Sequence, residues 1–171
     1  YDYTIAVDGQ PWPTTFPSVW KPSFNPKNGS VVAPAKTPGG WTMVSDGQPL
    51  WNGRYAQLWH QMYSPDGNHL AAIVAPKYGH WTIAVDDKPW ARTFDDFVTD
   101  ASFSPDGRWI ANGGCAGVKV WEADTGREIM SFDKGRVADV AISPDGTRIA
   151  WTCGGVRMWQ SGTVRWVFKP I

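Results

Sequence analysis

"VTDASFSPDGRWIANG" (residues 98–113) is an apolar run, a four-residue break and a second run of apolar and small residues. The break, Ser104-Pro105-Asp106-Gly107, carries the chemistry of a tight reversal. Proline presets φ for the second position of a type I turn, aspartate suits the third, and glycine follows where a left-handed residue is wanted. A type I turn ending in such a glycine commonly connects the strands of a hairpin. The stretch therefore predicts two antiparallel strands joined at Ser104–Gly107.

The same break recurs along the chain. It stands at Asn25-Pro26, Ser64-Pro65, Ser104-Pro105 and Ser143-Pro144, with successive prolines 39, 40 and 39 residues apart. Before each break the runs align without gaps: "VWKPSF" (19–24), "LWHQMY" (58–63), "VTDASF" (98–103) and "VADVAI" (137–142). After it come "SVVAPA", "HLAAIV", "RWIANG" and "TRIAWT", continuous apolar or small-residue runs of the kind expected when both faces of a strand are covered. A third strand follows in "WTMVSD", "WTIAVD", "VKVWEA" and "VRMWQS", and a fourth in "QPLWNG", "KPWARTF", "REIMSF" and "TVRWVF". Polar turns such as Asp46-Gly47, Asp86-Asp87 and Asp124-Thr125-Gly126 separate the third strand from the fourth.

Four short antiparallel strands in about 40 residues, repeated, describe the blades of a β-propeller. A single blade cannot bury both of its faces, so blades must stack side by side. The expected fold is all-β: a propeller of about four and a half four-stranded antiparallel blades. Residues 1–16 form a half blade ("YTIAVDG" and "QPWPTTF"), and 17–54, 55–94, 95–133 and 134–171 form complete ones. The half blade lacks its two inner strands, and an unpartnered edge is a liability. We therefore expect the chain to be the C-terminal part of a larger ring.

Composition narrows the function. Sixteen basic and sixteen acidic side chains cancel without forming blocks, so the basic stripe that nucleic-acid binding requires is absent. No apolar run approaches the roughly 20 residues that cross a bilayer, which argues against direct membrane insertion. Two cysteines, Cys115 and Cys153, make no disulfide framework and favour a reducing compartment. Both read as small buried hydrophobes at tight turns. Twelve tryptophans, recurring with the period, read as packing between blades.

The stretch "FSPDGRWIANGGCAGVKVWEADTGREIMSF" resembles a WD40-type blade, although the Gly-His dipeptide is missing and Trp121 is followed by Glu122. Cys115-Ala116 and Cys153-Gly154 replace the aspartate usual before the third strand. "YDYTIAVDGQPW", "WTMVSDGQPLW" and "WTIAVDDKPW", within residues 1–95, resemble the tryptophan-rich WD40-like subunits of the Tmc transmembrane redox complexes of sulfate-reducing bacteria. That resemblance implies a cytoplasmic, cofactor-free accessory subunit whose partners are proteins, membrane redox subunits among them. "EADTGREIMSF" and "IAVDGQPW" are also similar to the repeats of quinoprotein propellers, in which a turn and an indole staple one blade to the next. The adjacent cysteine pair of those enzymes is absent.

No nucleophile elbow, phosphate loop or zinc motif occurs. The three histidines, His60, His69 and His80, fall at unrelated blade positions, so no metal or catalytic set is assigned. Trp20 and Trp59 share one inner-strand column, in which later blades carry Thr99 and Ala138. The next column holds Lys21, His60, Asp100 and Asp139. These six (Trp20, Lys21, Trp59, His60, Asp100 and Asp139) are the candidate partner-binding rim, with indoles as anchors and charges setting orientation. A non-catalytic interaction scaffold is the expected function. The alternatives are the propeller portion of an enzyme and an engineered or truncated propeller.

Overall fold

In each Ser-Pro-Asp-Gly reversal the serine carbonyl accepts the glycine N–H, at 2.8 Å for Ser64–Gly67, 2.9 Å for Ser104–Gly107 and 2.8 Å for Ser143–Gly146. The serine hydroxyl donates to the aspartate at 2.6, 2.6 and 2.5 Å and accepts the N–H five residues ahead, from His69, Trp109 and Arg148. Each glycine has φ near the left-handed value, +68, +71 and +70°. With every polar group engaged, the serine hydroxyl holds the carboxyls of Asp66, Asp106 and Asp145 below the usual range. Asp145 is lowered to about 2.

The computed structural model describes residues 1–94, 98–132 and 135–152, and the backbone of 156–160. Its strands form five antiparallel sheets in chain order. Sheet A pairs β1 (Ala6–Val7) with β2 (Gln10–Pro11). Sheet B holds β3 (Ser23–Phe24), β4 (Val31–Thr37), β5 (Gly40–Ser45) and β6 (Gln48–Pro49). Sheet C holds β7 (Gln57–Tyr63), β8 (Leu70–Lys77), β9 (His80–Val85) and β10 (Lys88–Pro89). Sheet D holds β11 (Val98–Phe103), β12 (Trp109–Gly114), β13 (Gly117–Glu122) and β14 (Glu128–Phe132). Sheet E holds β15 (Val140–Ile142), β16 (Arg148–Thr152) and β17 (Val156–Gln160). Every sheet runs in sequence order, strand next to strand. The run "TVRWVF", expected as a further strand, lies outside the described residues.

Four expected strands are shorter than their sequences suggested. In sheet B the first strand pairs only at Ser23–Phe24, with a separate bridge from Val19 to Ala35. Pro22 has no N–H to give the ladder between them. The last strands of sheets A to C pair over two residues beyond a two-residue turn whose central residues both have positive φ: Asp8-Gly9, Asp46-Gly47 and Asp86-Asp87. This is the geometry that suits hairpin twist. The chain then leaves the ladder, turns a tryptophan inward and rejoins it at one bridge: Tyr3–Phe16, Trp41–Tyr55 or Trp81–Phe94.

The core is divided among the gaps between sheets. On β8, Ala71 and Ile73 pack toward sheet D, while Ala72 and Val74 pack toward sheet B, all four fully buried. Successive strand residues point to opposite faces, so a strand covered on both sides must be apolar at every position. β4 behaves the same way, with Val31 and Ala33 facing sheet A and Val32 facing sheet C. Each of the four clusters takes residues from two neighbouring sheets, giving a serial, propeller-like array.

Candidate interaction site

The inward-turned tryptophans hold neighbouring sheets together. Trp12, Trp51 and Trp90 are all buried, each in the cluster that its sheet shares with the next. Trp90 is the most fully engaged. Its Nε1–H donates to the carbonyl of Ala123 in sheet D at 3.0 Å. Gly126 lies so close to the indole that a Cβ there would come within 2.3 Å of Trp90 Cγ. The turn-plus-indole staple expected from "EADTGREIMSF" is thus present between sheets C and D. Between sheets B and C, Asp87 accepts the N–H groups of Asn52 and Gly53 at 2.6 and 3.0 Å. Burial first, and the Asp87 charge second, push the Tyr55 hydroxyl up to about 12.

Of the six candidate rim residues, Trp59, His60 and Asp100 lie on the first strands β7 and β11, while Trp20 and Lys21 precede β3 and Asp139 immediately precedes β15. Trp20 is 43% exposed, and its ring lies on that of Trp41 with centroids 4.5 Å apart. Lys21 offers its backbone carbonyl to Gln61 Nε2, which also donates to Ser23 Oγ at 2.9 Å, linking sheet B to sheet C. Trp59 is partly buried against the cluster between sheets C and D.

A bulge in β7 between Trp59 and Met62 places His60 at φ +52°. An inserted residue bends a strand and re-aims its side chains. Here it sends the imidazole across to sheet D, where Nε2 lies 2.9 Å from Asp100 Oδ1 and 3.0 Å from the Ala101 carbonyl. Both neighbours are acceptors, so this nitrogen carries the proton. The Asp100 hydrogen bond is the main reason the His60 pKa is raised. Asp100 in turn accepts the Val140 N–H of sheet E at 2.9 Å. Burial works against its charge, but the bonds from His60 and Val140 together hold its carboxyl below the usual range. Asp139 bonds within its own sheet, to Thr152.

His60 and Asp100 are therefore in direct contact, Lys21 is joined through Gln61, and Asp139 has a separate partner. Gln61 and Thr99, whose hydroxyl donates to the Val137 carbonyl at 2.8 Å, also cross between sheets. Sequence reasoning passed over both. Their signal was position alone, one residue from a candidate.

Cys115 departs from expectation. It is exposed at the turn between β12 and β13, not buried, because burial ends with the flanking strand residues Gly114 and Gly117. Cys153 lies outside the described residues. Trp121 Nε1 donates to the buried Asn112 Oδ1 at 2.5 Å, a two-residue bond within sheet D. Among the described residues no group of three or more His, Cys, Asp or Glu side chains could hold a metal ion, and no helix is long and apolar enough to cross a membrane.

An all-β array of antiparallel sheets, three of the five described ones four-stranded, with cross-links between neighbours, defines a propeller-like class of fold. Within it, the family model described as "WD domain, G-beta repeat" matches residues 91–122. The match starts after Trp90 and ends at Trp121-Glu122, so it spans the junction between sheets C and D. The chain is similar to the crystal structure of the computationally designed Ika8 protein, at 18% identity and a TM-score of 0.63. That likeness covers 92% of this chain and 51% of the designed one, so the chain spans about half its length. No curated protein matches the chain. The repeat and the fold indicate no catalytic family, and WD40 repeats generally mediate protein–protein interaction.

Proposed function

We propose that the chain is a non-catalytic propeller segment that holds protein partners at the mouth formed by its first strands. Trp20 and Trp59 serve as aromatic anchors, while Lys21, His60, Asp100 and Asp139 orient the bound surface. The WD40 repeat at 91–122, set in a serial array of like sheets, carries this reading. The cross-links through Gln61, His60 and Asp100 support it, because a rigid mouth loses little entropy when a partner docks. In the same reading the blades run 1–16, 17–54, 55–94, 95–133 and 134–171 and belong to a larger ring in the cytoplasm. The narrower role, accessory subunit of a membrane redox complex, rests on the resemblance of residues 1–95.

The test compares the full-length protein with a Trp20→Ala/Trp59→Ala variant by native mass spectrometry of co-purified proteins from the source cells. Folding of the variant is checked by circular dichroism. Loss of a defined partner from a folded variant is expected. A folded variant that keeps the same partners would discard the mouth as the binding site. Membrane redox subunits among the partners would support the narrower role, and a partner set lacking them would remove it.

A further inference from the structure

A cavity of about 530 Å³ lies between sheets B and C, beside their proline reversals and the Asp86-Asp87 turn. Small-molecule sites occupy roughly 300–1,000 Å³. Trp51 and Leu70, 3 and 5% exposed, form its deep part. Its polar wall holds the Asn28 and Asn52 amides, the Ser30 and Ser45 hydroxyls and the Asp86 and Asp87 carboxylates. The two sheets are tied across the gap. Asn25 Nδ2 donates to the Gly67 carbonyl at 3.1 Å, and Asp87 accepts the Asn52 and Gly53 N–H groups. The space is therefore built before any occupant arrives, which lowers the cost of binding.

Trp51 differs here from its counterpart Trp90. The two correspond because Thr42 and Thr82 donate to their carbonyls, at 3.0 and 3.3 Å, with Leu50 an added residue whose N–H shares the Met43 carbonyl with that of Trp51. Trp90 faces the connection 123–127 of sheet D, where the Ala123 carbonyl accepts its Nε1–H and Gly126 closes on the ring. Sheet C presents only the two-residue turn Asp86-Asp87 at that place. Among the described residues the Trp51 Nε1–H has no acceptor, and its nitrogen is not sealed from solvent, which leaves the cavity it lines as its outlet. Polar groups this deep are ordinarily paired, so the N–H points to an acceptor from outside the chain.

The rest of the lining sets the chemistry of that acceptor. Among the described residues no lysine or arginine lines the cavity, and Lys27 beside it donates to Asn68 Oδ1 at 2.5 Å, so an anion finds no free counter-charge. A cation is poorly served as well. Asp86 is bonded to His69 and the Leu70 N–H, and Asp87 to two backbone N–H groups. What stays open is a mixture of donors, at Trp51, Asn28 and Asn52, and acceptor lone pairs, at Asn52, Asp86 and Asp87. Hydroxyl groups both donate and accept, and carry no charge. We infer that this cavity binds one ring of a neutral saccharide, whose hydroxyls accept from Trp51, Asn28 and Asn52 and donate to Asp86 and Asp87. The site shares no residue with the six rim candidates.

The probes are the methyl glycosides of glucose, galactose, mannose and N-acetylglucosamine, titrated into the full chain with 15N-labelled tryptophan and followed by NMR. The chain has twelve tryptophans, so the Trp51 Nε1–H signal is assigned with Trp51→Phe or, if that variant does not fold, by sequential assignment. A saturable shift of this signal is expected for at least one glycoside, with a dissociation constant of about 1 mM for a ligand of roughly a dozen non-hydrogen atoms. Asn52→Ala removes an exposed amide and should weaken binding about fivefold. Asn28→Ala, also exposed, serves if the first variant does not fold. No saturable shift at Trp51 with any of the four, or binding unchanged in both alanine variants, overturns the proposal. N-acetyl-argininamide shifting the signal in place of the glycosides would assign the cavity to a cationic side chain and also overturns it. A glycan array separates the sources: array signal places the ring at a chain end, glycoside binding without it places the sugar free in solution, and either result supports the site. None of these variants touches the six rim residues, so failure here leaves the mouth reading standing, and the Trp20/Trp59 variant leaves this cavity intact.

Discussion

Adding a single methyl group at Gly126 interrogates the contact between sheets C and D. Gly126 sits at φ +66°, where an L-residue costs about 1–2 kcal/mol. The new Cβ would lie 2.3 Å from Cγ, 2.6 Å from Cδ2 and 2.7 Å from Cβ of Trp90. Those atoms are the root of the side chain, so the indole cannot swing aside and still reach Ala123. Overpacking of this kind costs about 1–3 kcal/mol, and losing the indole hydrogen bond about 1 kcal/mol more. Gly126→Ala should therefore destabilise by about 3–6 kcal/mol, a large part of the roughly 5–15 kcal/mol that holds a domain folded. In a Trp90→Ala background, itself costing about 3–5 kcal/mol, clash and bond both vanish and only the backbone cost remains. The double-mutant cycle should then show a coupling of about 2–4 kcal/mol. Urea unfolding of the four proteins, followed by far- and near-ultraviolet circular dichroism, measures it. Equal cost of Gly126→Ala in both backgrounds would refute the staple.

Ser104→Ala removes a buried hydroxyl that accepts the Trp109 N–H and donates to Asp106; a loss of about 1–3 kcal/mol is expected in urea, and a change below about 0.5 kcal/mol would contradict the role given to that turn. The raised His60 pKa gives stability that is complete below the ordinary value of about 6.5 and fades as pH rises through the raised one. Asp100, held low, contributes above its ordinary range and loses that contribution as pH falls through its lowered value. His60→Gln should flatten the fall in stability above about pH 6.5, leaving the contribution of the His69–Asp86 pair, which has the same sign; an unaltered profile would count against the cross-link. Asp87→Ala leaves the Asn52 and Gly53 N–H groups without their acceptor and should move Tyr55 ionisation part of the way down from about 12. Alkaline titration of the tyrosinate absorbance reads this, and an unmoved transition would show that burial alone sets it.

The strands around each proline reversal were legible because a covered strand must be apolar at every position and the reversal has its own turn chemistry. Hence β8 and β12 fall close to the runs read from sequence. The closing strands of sheets A to C were read too long, since runs such as "KPWARTF" mix the β-prone Trp, Thr and Phe with residues disfavoured in strands. The indole of Trp90 instead leaves the ladder to fill the next interface. Among the candidate rim residues, the shared columns were visible from the period. The contact between His60 and Asp100 was not, because it depends on a bulge and a left-handed histidine that no periodicity encodes. Cys115 was misplaced for a related reason: the strands on either side are buried up to Gly114 and from Gly117, but the two turn residues between them are exposed.

The short outermost strands of sheets A to C each contain a proline, at Pro11, Pro49 and Pro89, all exposed. In a two-residue hairpin the closing pair is hydrogen-bonded, so the residue after it aims its nitrogen outward. Proline leaves nothing there to donate, and a foreign polypeptide cannot extend those sheets by adding a ribbon of its own. β14 has no proline along Glu128–Phe132. Self-association through main-chain pairing, when the protein is concentrated or partly melted, should therefore begin along that border, and a proline introduced at an outward-facing nitrogen of β14 should raise the concentration the protein tolerates in solution.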